Sequence, residues 1–347
     1  MKIYILFEFK DSLSGGGSQF LKAIKNVFVS KGLYVEDIKD ADIILYNSHQ
    51  YVAKLLKYKF MYKNKIFVHR IDGPMRLYNT LDDKRDLIVN ITNKYIADAT
   101  IFQSYWSRTE NLKMGMQNNT FEAIIINAPD ANIFNMKDKI NFNQNRKIRL
   151  IATSWSDNPK KGFDIYKWLD EYLDFKRFEF TFVGNSSVGF KNIIDKKPMG
   201  SKELAIELKQ NDIFITASQK DPCSNSLIEA LHCGLPAIAL DDGGHPEIIA
   251  CGGEVFERKE DIFSILDKIE SNYINYQNKI NLPKIEQVAE DYHAFLENIY
   301  NEKKIGRYHT KTFRYKDYLI LKSTLTIWKI KESVNNRWQK YKKVFKA

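Results

Sequence analysis

The sequence predicts an α/β protein in two halves, each a parallel sheet flanked by helices. Through residues 1–301, short β-branched and apolar runs alternate with amphipathic helical segments, the signature of repeated βα units. The alternation stops in the polar, Asn-rich interval Asp138–Lys147, which reads as a linker, and then restarts. A length of 347 residues, at about 100–200 per domain, suits two such halves.

In the first half, strand Lys2–Phe9 runs into a loop with Gly15-Gly16-Gly17. Phe20, Leu21, Ile24, Val27 and Phe28 then mark the buried face of a helix that stops at Gly32. Further strands are expected at Ile43–Tyr46, Ile66–His69, Thr100–Phe102 and Ala123–Ile126, with a helix around Leu81–Ala97, which makes an open sheet of Rossmann type. The second half reads as strand Ile148–Ala152, helix Phe163–Leu173, strand Phe178–Val183, helix Lys202–Leu208, strand Ile213–Ala217, helix Ser226–Cys233 and strand Pro236–Leu240. Helix Ile285–Tyr300 closes it. Ligands of such sheets bind outside the carboxyl ends of the strands, so a site is expected where the two halves face each other. The division this gives is residues 1–147, residues 148–301 and a C-terminal stretch, residues 302–347.

Charge separates that last stretch from the rest. The chain carries 53 Lys and Arg against 43 Asp and Glu, a formal net charge of +10. Residues 302–347 hold 14 of the basic and 3 of the acidic residues, so they contribute +11 and the remaining 301 residues net −1. Within the stretch, Ile327, Ile330, Val334, Trp338, Tyr341 and Phe345 recur at steps of three or four, while Lys329, Lys331, Arg337, Lys340, Lys342 and Lys343 fall largely elsewhere on the wheel. The stripe either docks on the body of the protein or adsorbs to an anionic bilayer, where each basic residue is worth about 1 kcal/mol. So one-sided a charge exceeds what solubility requires, which favours the bilayer. Stacking of Trp328, Trp338 and Tyr341 on nucleic-acid bases is disfavoured because these rings fall mainly on the apolar stripe.

Cys223, Cys233 and Cys251 form neither a disulfide framework nor a zinc spacing, which suggests a reducing, cytoplasmic setting. The apolar run Ile3–Phe7 is too short for a signal-peptide core, and no window reaches the roughly 18–20 apolar residues of a membrane span. Asp40-Ala41-Asp42 precedes its strand and reads as a turn, so no metal site is expected there.

Three loops carry chemistry. Gly16 and Gly17 stand between a strand and a helix, where backbone amides and the helix N-terminus suit a phosphate, although a tight turn explains them equally well. Lys161 stands in the Ser154–Gly162 loop at the first βα turn of the second half, placed either to neutralise a diphosphate or to sit in solvent beside Lys160. Asp221 lies in the loop before a helix that starts near Asn225, with Glu229 in its first turn, so two carboxylates and the amides of Ser224, Asn225 and Ser226 converge on one pocket. Carboxylates accept from sugar hydroxyls and amides hold phosphate. The structural alternative is an Asx turn at Asp221 and a Ser226-x-x-Glu229 capping box.

Taken in order, these residues resemble family 4 of the retaining glycosyltransferases, whose fold is called GT-B, over about residues 1–300. The motifs are the Gly-rich loop, Ala97-Asp98 before Ser104, Asn127-Ala128-Pro129-Asp130 with Phe134, Lys161-Gly162, the Asp221 to Glu229 pair in place of acid-x7-Glu, and Gly243-Gly244-His245-Pro246-Glu247. The closing helix, with Tyr292 and Tyr300, is similar to one that in this family crosses back to the N-terminal domain. The resemblance implies an N-terminal acceptor domain, a C-terminal donor domain, a UDP or GDP sugar as donor, no essential metal, and same-face transfer to a glycan or lipid-linked acceptor. It implies that Lys161 and the amides of Ser224–Ser226 hold the diphosphate, Glu229 the ribose, and Asp221 with His69 the donor sugar. It also places Arg70, Asp72, Arg76 and Tyr78 toward the acceptor. Asp221 stands where the family usually has Glu, and Trp155 where it often has Arg, for which Arg70 or Arg76 is the expected substitute. A nucleotide-sugar epimerase of similar shape and a non-catalytic sugar-nucleotide-binding protein tethered by its tail are the rival readings.

Overall fold

The structure is a computed structural model, and it describes residues 1–9, 15–81 and 83–326. The N-terminal domain is a five-stranded parallel sheet in sequential order: β1 Ile3–Leu6, β2 Ile43–Asn47, β3 Ile66–Ile71, β4 Ala99–Phe102 and β5 Phe121–Ile124. Every residue of β2, β3 and β4 is buried, as expected of parallel strands covered on both faces. The C-terminal sheet is also parallel, with β6 Ile148–Ser154, β7 Phe178–Gly184, β8 Ile194–Lys196, β9 Ile213–Thr216, β10 Ala237–Leu240 and β11 Gly253–Phe256. Its order is β11-β10-β9-β6-β7-β8, so the winding reverses between β6 and β9. The loops after those two strands carry Trp155, Lys161 and Asp221, and such a switch point is where open α/β sheets bind ligands.

The interval between the sheets is packed, not free. Phe142 stacks on Tyr273 with ring centroids 4.0 Å apart, and Ile140 N donates to Lys209 O at 3.1 Å, so it lies on the C-terminal domain. The long helix Ile285–Lys304 returns to the other half, where Val288, Tyr292, Leu296 and Ile299 join Phe20 and Ile24 in the N-terminal core.

The chain after this helix packs on the N-terminal domain as far as residue 326. Phe313 and Leu321 are buried among Leu55, Leu56, Phe67 and Ile96 of the N-terminal domain. Asp98 fastens the segment: its Oδ1 accepts from Tyr308 Oη at 3.0 Å and Lys311 N at 2.7 Å, and its Oδ2 from Phe67 N at 2.8 Å and Lys59 Nζ at 3.3 Å. Lys311 Nζ is tied in turn to Asn119 Oδ1 and the Asn93 and Lys94 carbonyls. Residues 302–326 are thus an apolar and hydrogen-bonded strap on the N-terminal domain. The amphipathic stripe that begins at Ile327 lies outside the described residues.

Candidate active site

A cavity of about 420 Å³ separates the two domains at the carboxyl ends of their strands. From the N-terminal side it is lined by Gly15–Gln19 and by Asn47, Gln50, Asp72, Tyr78 and Gln103; from the C-terminal side by Trp155, Lys161, Asp221, Asn225, Ser226 and Glu229. Helix Gly16–Ser30 and helix Asn225–His232 both begin at this cavity, so the positive ends of two helix dipoles open into it. The helices meet at their ends: a Cβ on Gly16 would lie 2.5 Å from Asn225 Cβ, which is the physical reason for glycine there.

Lys161 and Asp221 form the centre of the C-terminal wall. Lys161 Nζ donates to Asp221 Oδ2 at 2.9 Å and to Ser218 Oγ at 3.2 Å, and lies 5.4 Å from the centre of the Tyr78 ring. Gly162, at φ +80°, lets this loop press on β9, since a Cβ would come within 2.4 Å of Ala217 O. Burial opposes charge on Lys161, and the Asp221 carboxylate outweighs it, so the ammonium titrates above its usual range. Burial likewise opposes charge on Asp221, yet Lys161 and then His245 hold its carboxyl below the ordinary range. Asp221 Oδ1 accepts from Cys223 N at 3.3 Å, the Asx-type bond, while Oδ2 accepts from Lys161, so the Asx turn and the cavity-side ion pair use different oxygens. The capping box does not form: Ser224 is the N-cap, and its hydroxyl pairs with Ser226 Oγ at 3.2 Å. Ser224 itself is buried behind the lining. Burial alone pushes Glu229 up to about 8.

Three expected site residues are placed elsewhere. His69 is fully buried within β3, stacked on Tyr46 at 4.2 Å, with Nε2 bonded to Ser48 O at 2.9 Å and Nδ1 to Asn93 Nδ2 at 3.3 Å. Burial lowers it to about 3, so it is a neutral core residue and faces no donor sugar. Arg70 is fully buried as well: its guanidinium donates to Asn47 Oδ1, to Asn127 Oδ1 at 2.7 Å and to Asp72 Oδ1 at 3.3 Å, with Phe20 4.8 Å from its centre. It braces cleft residues from below and cannot replace a diphosphate cation at the surface of the cavity. Arg76 pairs with Asp86 at 3.2 Å and does not line the cavity. Asp72 and Tyr78 do line it.

Sequence reasoning missed Asn47, Gln50 and Gln103, which supply amides to the N-terminal wall, and the lining by Val183, Gly184, Pro198, Met199 and Leu204 of the C-terminal domain. Asn47 ends β2 and Gln103 follows β4, so their positions at strand carboxyl ends were the available signal. The indole of Trp155 lies against the glycine loop, 3.3 Å from where a Gly15 Cβ would stand.

Several motifs meet in one interdomain contact. Ser104, N-cap of helix Tyr105–Lys113, accepts from Ser107 N at 2.9 Å and donates its hydroxyl to Pro222 O at 2.6 Å. Glu247 reaches across so that its two oxygens accept from Tyr105 N and Trp106 N, each at 2.7 Å. Asn127 Nδ2 donates to Asn225 Oδ1 at 3.1 Å. Asp42, from the Asp-x-Asp triplet, accepts from Lys2 N at 2.7 Å.

Residues 191–282 match the family model for Glycosyl transferases group 1. A sequence search of curated proteins found no match. Among solved structures, the chain is similar to sucrose-phosphate synthase (tll1590) from Thermosynechococcus elongatus, with TM-score 0.59 and 14% identity over 82% of this chain and 79% of that one. It is similar to Anabaena Alr3699/HepE in complex with UDP-glucose, with TM-score 0.62 and 13% identity over 88% and 99% of the respective chains. It is also similar to the lipopolysaccharide outer core galactosyltransferase WaaB, with TM-score 0.58 and 14% identity over 87% and 100%. The fold is GT-B, two Rossmann-like domains facing across a cleft, and the segment that matches the group 1 glycosyl transferase model lies in the C-terminal domain.

Proposed function

We propose that the chain is a retaining glycosyltransferase that moves a sugar from a nucleoside-diphosphate donor to a hydroxyl of a glycan or lipid-linked acceptor. The observation that carries this is the convergence of two helix N-termini, Lys161 and the Asp221 and Glu229 carboxyl groups on one interdomain cavity. Amide-rich helix ends suit the diphosphate, carboxyl groups suit ribose and sugar hydroxyls, and the flat apolar wall of Val183, Met199 and Leu204 suits a base. The Anabaena relative was solved with UDP-glucose, which supports UDP as the first nucleotide to try, with GDP next.

The chemical difficulty is departure of a diphosphate from an oxocarbenium-like centre, so preorganised positive charge dominates. Lys161 spends two of its three N–H groups on Asp221 and Ser218 and keeps one for a phosphate oxygen. Asp221, fixed by Lys161 and Cys223 N, orients a donor-sugar hydroxyl, and Glu229 binds the ribose. Asp72, held by Arg70 and Gln103, and Tyr78 meet the acceptor. Inversion requires a free general base on the face opposite the leaving group. Among the described lining residues, Asp72 and Asp221 are already bonded and burial keeps Glu229 protonated, which supports same-face attack with the departing diphosphate taking the acceptor proton. No residue assignment here calls for a metal.

A thermal-shift panel of UDP, GDP, ADP and CMP compounds identifies the base, because a ligand at 100 times its dissociation constant adds about 2.7 kcal/mol of stability. With the matching donor, Lys161→Ala loses about 10²–10³-fold in turnover, and NMR of the product reports the retained anomer. Full transfer by Lys161→Ala, or an inverted product, overturns the assignment. The excess positive charge of residues 327–347, seven basic against one acidic, supports attachment to an anionic, cytoplasmic membrane face, where lipid-linked acceptors are met.

A further inference from the structure

His245 follows Gly243-Gly244 and is fully buried. Its Nδ1 lies 3.0 Å from the Leu240 carbonyl, which only accepts, so Nδ1 carries the proton and Nε2 presents a lone pair. Nε2 is buried and has no hydrogen-bond partner among the described residues, a condition that native interiors rarely leave unused. The residue adjoins the Asp221 loop: Gly244 N donates to Asp221 O at 2.8 Å, and ring and carboxylate each bias the other's titration. The charged groups that face the ring are Asp221, Lys161 and Asp242.

In the ligand-free site Lys161 balances Asp221. A diphosphate competes for the same ammonium and brings two further negative charges to a wall on which Lys161 and Asp221 are mostly buried. Asp221 then either protonates, losing its hold on the sugar, or gains another counter-charge. We propose that His245 is a positioning residue of the donor site: when the diphosphate draws on Lys161, Nε2 takes a proton from solvent and the imidazolium keeps Asp221 ionised and in place. The inference rests on the donor-binding reading above. Burial lowers the ring's affinity for protons, so it is neutral before the donor arrives, and Asp221 opposes that lowering.

The experiment is calorimetric titration of the full chain with UDP-glucose at pH 7 in PIPES and in Tris, whose ionisation enthalpies differ. The phosphates of UDP-glucose do not titrate near this pH, so linked protons come from the protein. The wild type is expected to take up about half a proton or more per donor bound, so that its affinity falls as pH rises, and His245→Asn, which keeps a donor for Leu240 O, to bind more weakly, without that uptake and without that fall. Glu229 is unchanged in the variant, so the difference isolates His245. Binding without proton uptake, or equal uptake in wild type and variant, overturns this inference alone. Should neither UDP-glucose nor GDP-mannose bind, the glycosyltransferase reading falls first and this one with it. Where His245→Asn does not fold, His245→Gln serves the same comparison, since uptake by the wild type alone does not separate His245 from Asp221 or Glu229.

Discussion

Glu229 presents a carboxyl group to the cleft that burial drives up to about 8, with nothing donating to it among the described residues. Between its ordinary pKa near 4.5 and 8, the folded chain holds a proton that the unfolded chain has released, so stability falls as pH rises through that window. Glu229→Gln, which removes the titration, is expected to have a flatter Tm profile from pH 5 to 9 and to be the more stable protein at pH 9. Parallel profiles would show that Glu229 titrates normally. His69 gives the opposite kind of prediction. The expected strand stopped at His69, but β3 runs two residues further, to Ile71, so His69 lies inside the sheet and Asp72 is the first residue of the loop at the cleft. Alternation in a sequence locates a strand without fixing its end, and a shift of two residues exchanges a ligand-facing group for a core one. His69→Ala is therefore expected to cost about 2–3 kcal/mol in urea denaturation and to leave donor affinity within twofold of wild type. A large loss of affinity at unchanged stability would return His69 to the site.

At the scale of elements, the strongest interdomain feature is an N-terminus capped from outside its own domain. The first amides of helix Tyr105–Lys113 are satisfied by Ser104 and, across the cleft, by both oxygens of Glu247. A carboxylate there also complements the helix dipole. Glu247→Ala exposes two amides and removes about 1–3 kcal/mol from the closed arrangement, so solution scattering is expected to show a larger radius of gyration, recovered in part by saturating nucleotide. Superimposable scattering curves would mean that closure rests on other contacts. The motifs that meet here were legible in the sequence, but their meeting was not: Ser104, Pro222 and Glu247 lie far apart along the chain and become neighbours only when the sheets face one another. Elements with a clear apolar pattern, a continuous run in β2 and alternating phenylalanines in β7, could be read directly. The three-residue edge strand β8 and β11, which begins at Gly253, carry too little apolar signal to be distinguished from turns.

The whole molecule is organised by a chain that crosses twice between its halves. Helix Ile285–Lys304 and residues 308–326, which follow the C-terminal domain along the chain, complete the N-terminal core, so cutting the chain at residue 301 damages more than a charged appendage. Such a cut removes Phe313 and Leu321 from the core and takes two donors from Asp98, leaving buried Lys59 as its side-chain partner. Burial of each apolar side chain is worth about 1.5–3 kcal/mol, enough to lower Tm by several degrees. A cut after Thr326 spares every one of these contacts and removes a net charge of +6. Comparing the two truncations separates packing from adsorption. The shorter chain is expected to melt earlier than wild type. The chain ending at residue 326 is expected to keep the wild-type Tm and nucleotide affinity while losing its salt-sensitive sedimentation with phosphatidylserine vesicles, since screening weakens such adsorption within about 10 Å at 0.1 M salt. If the chain ending at residue 326 still sediments with those vesicles, attachment does not depend on the last 21 residues, and the strap, which carries Lys316 and Lys322 beside exposed Leu319 and Ile320, becomes the surface to mutate.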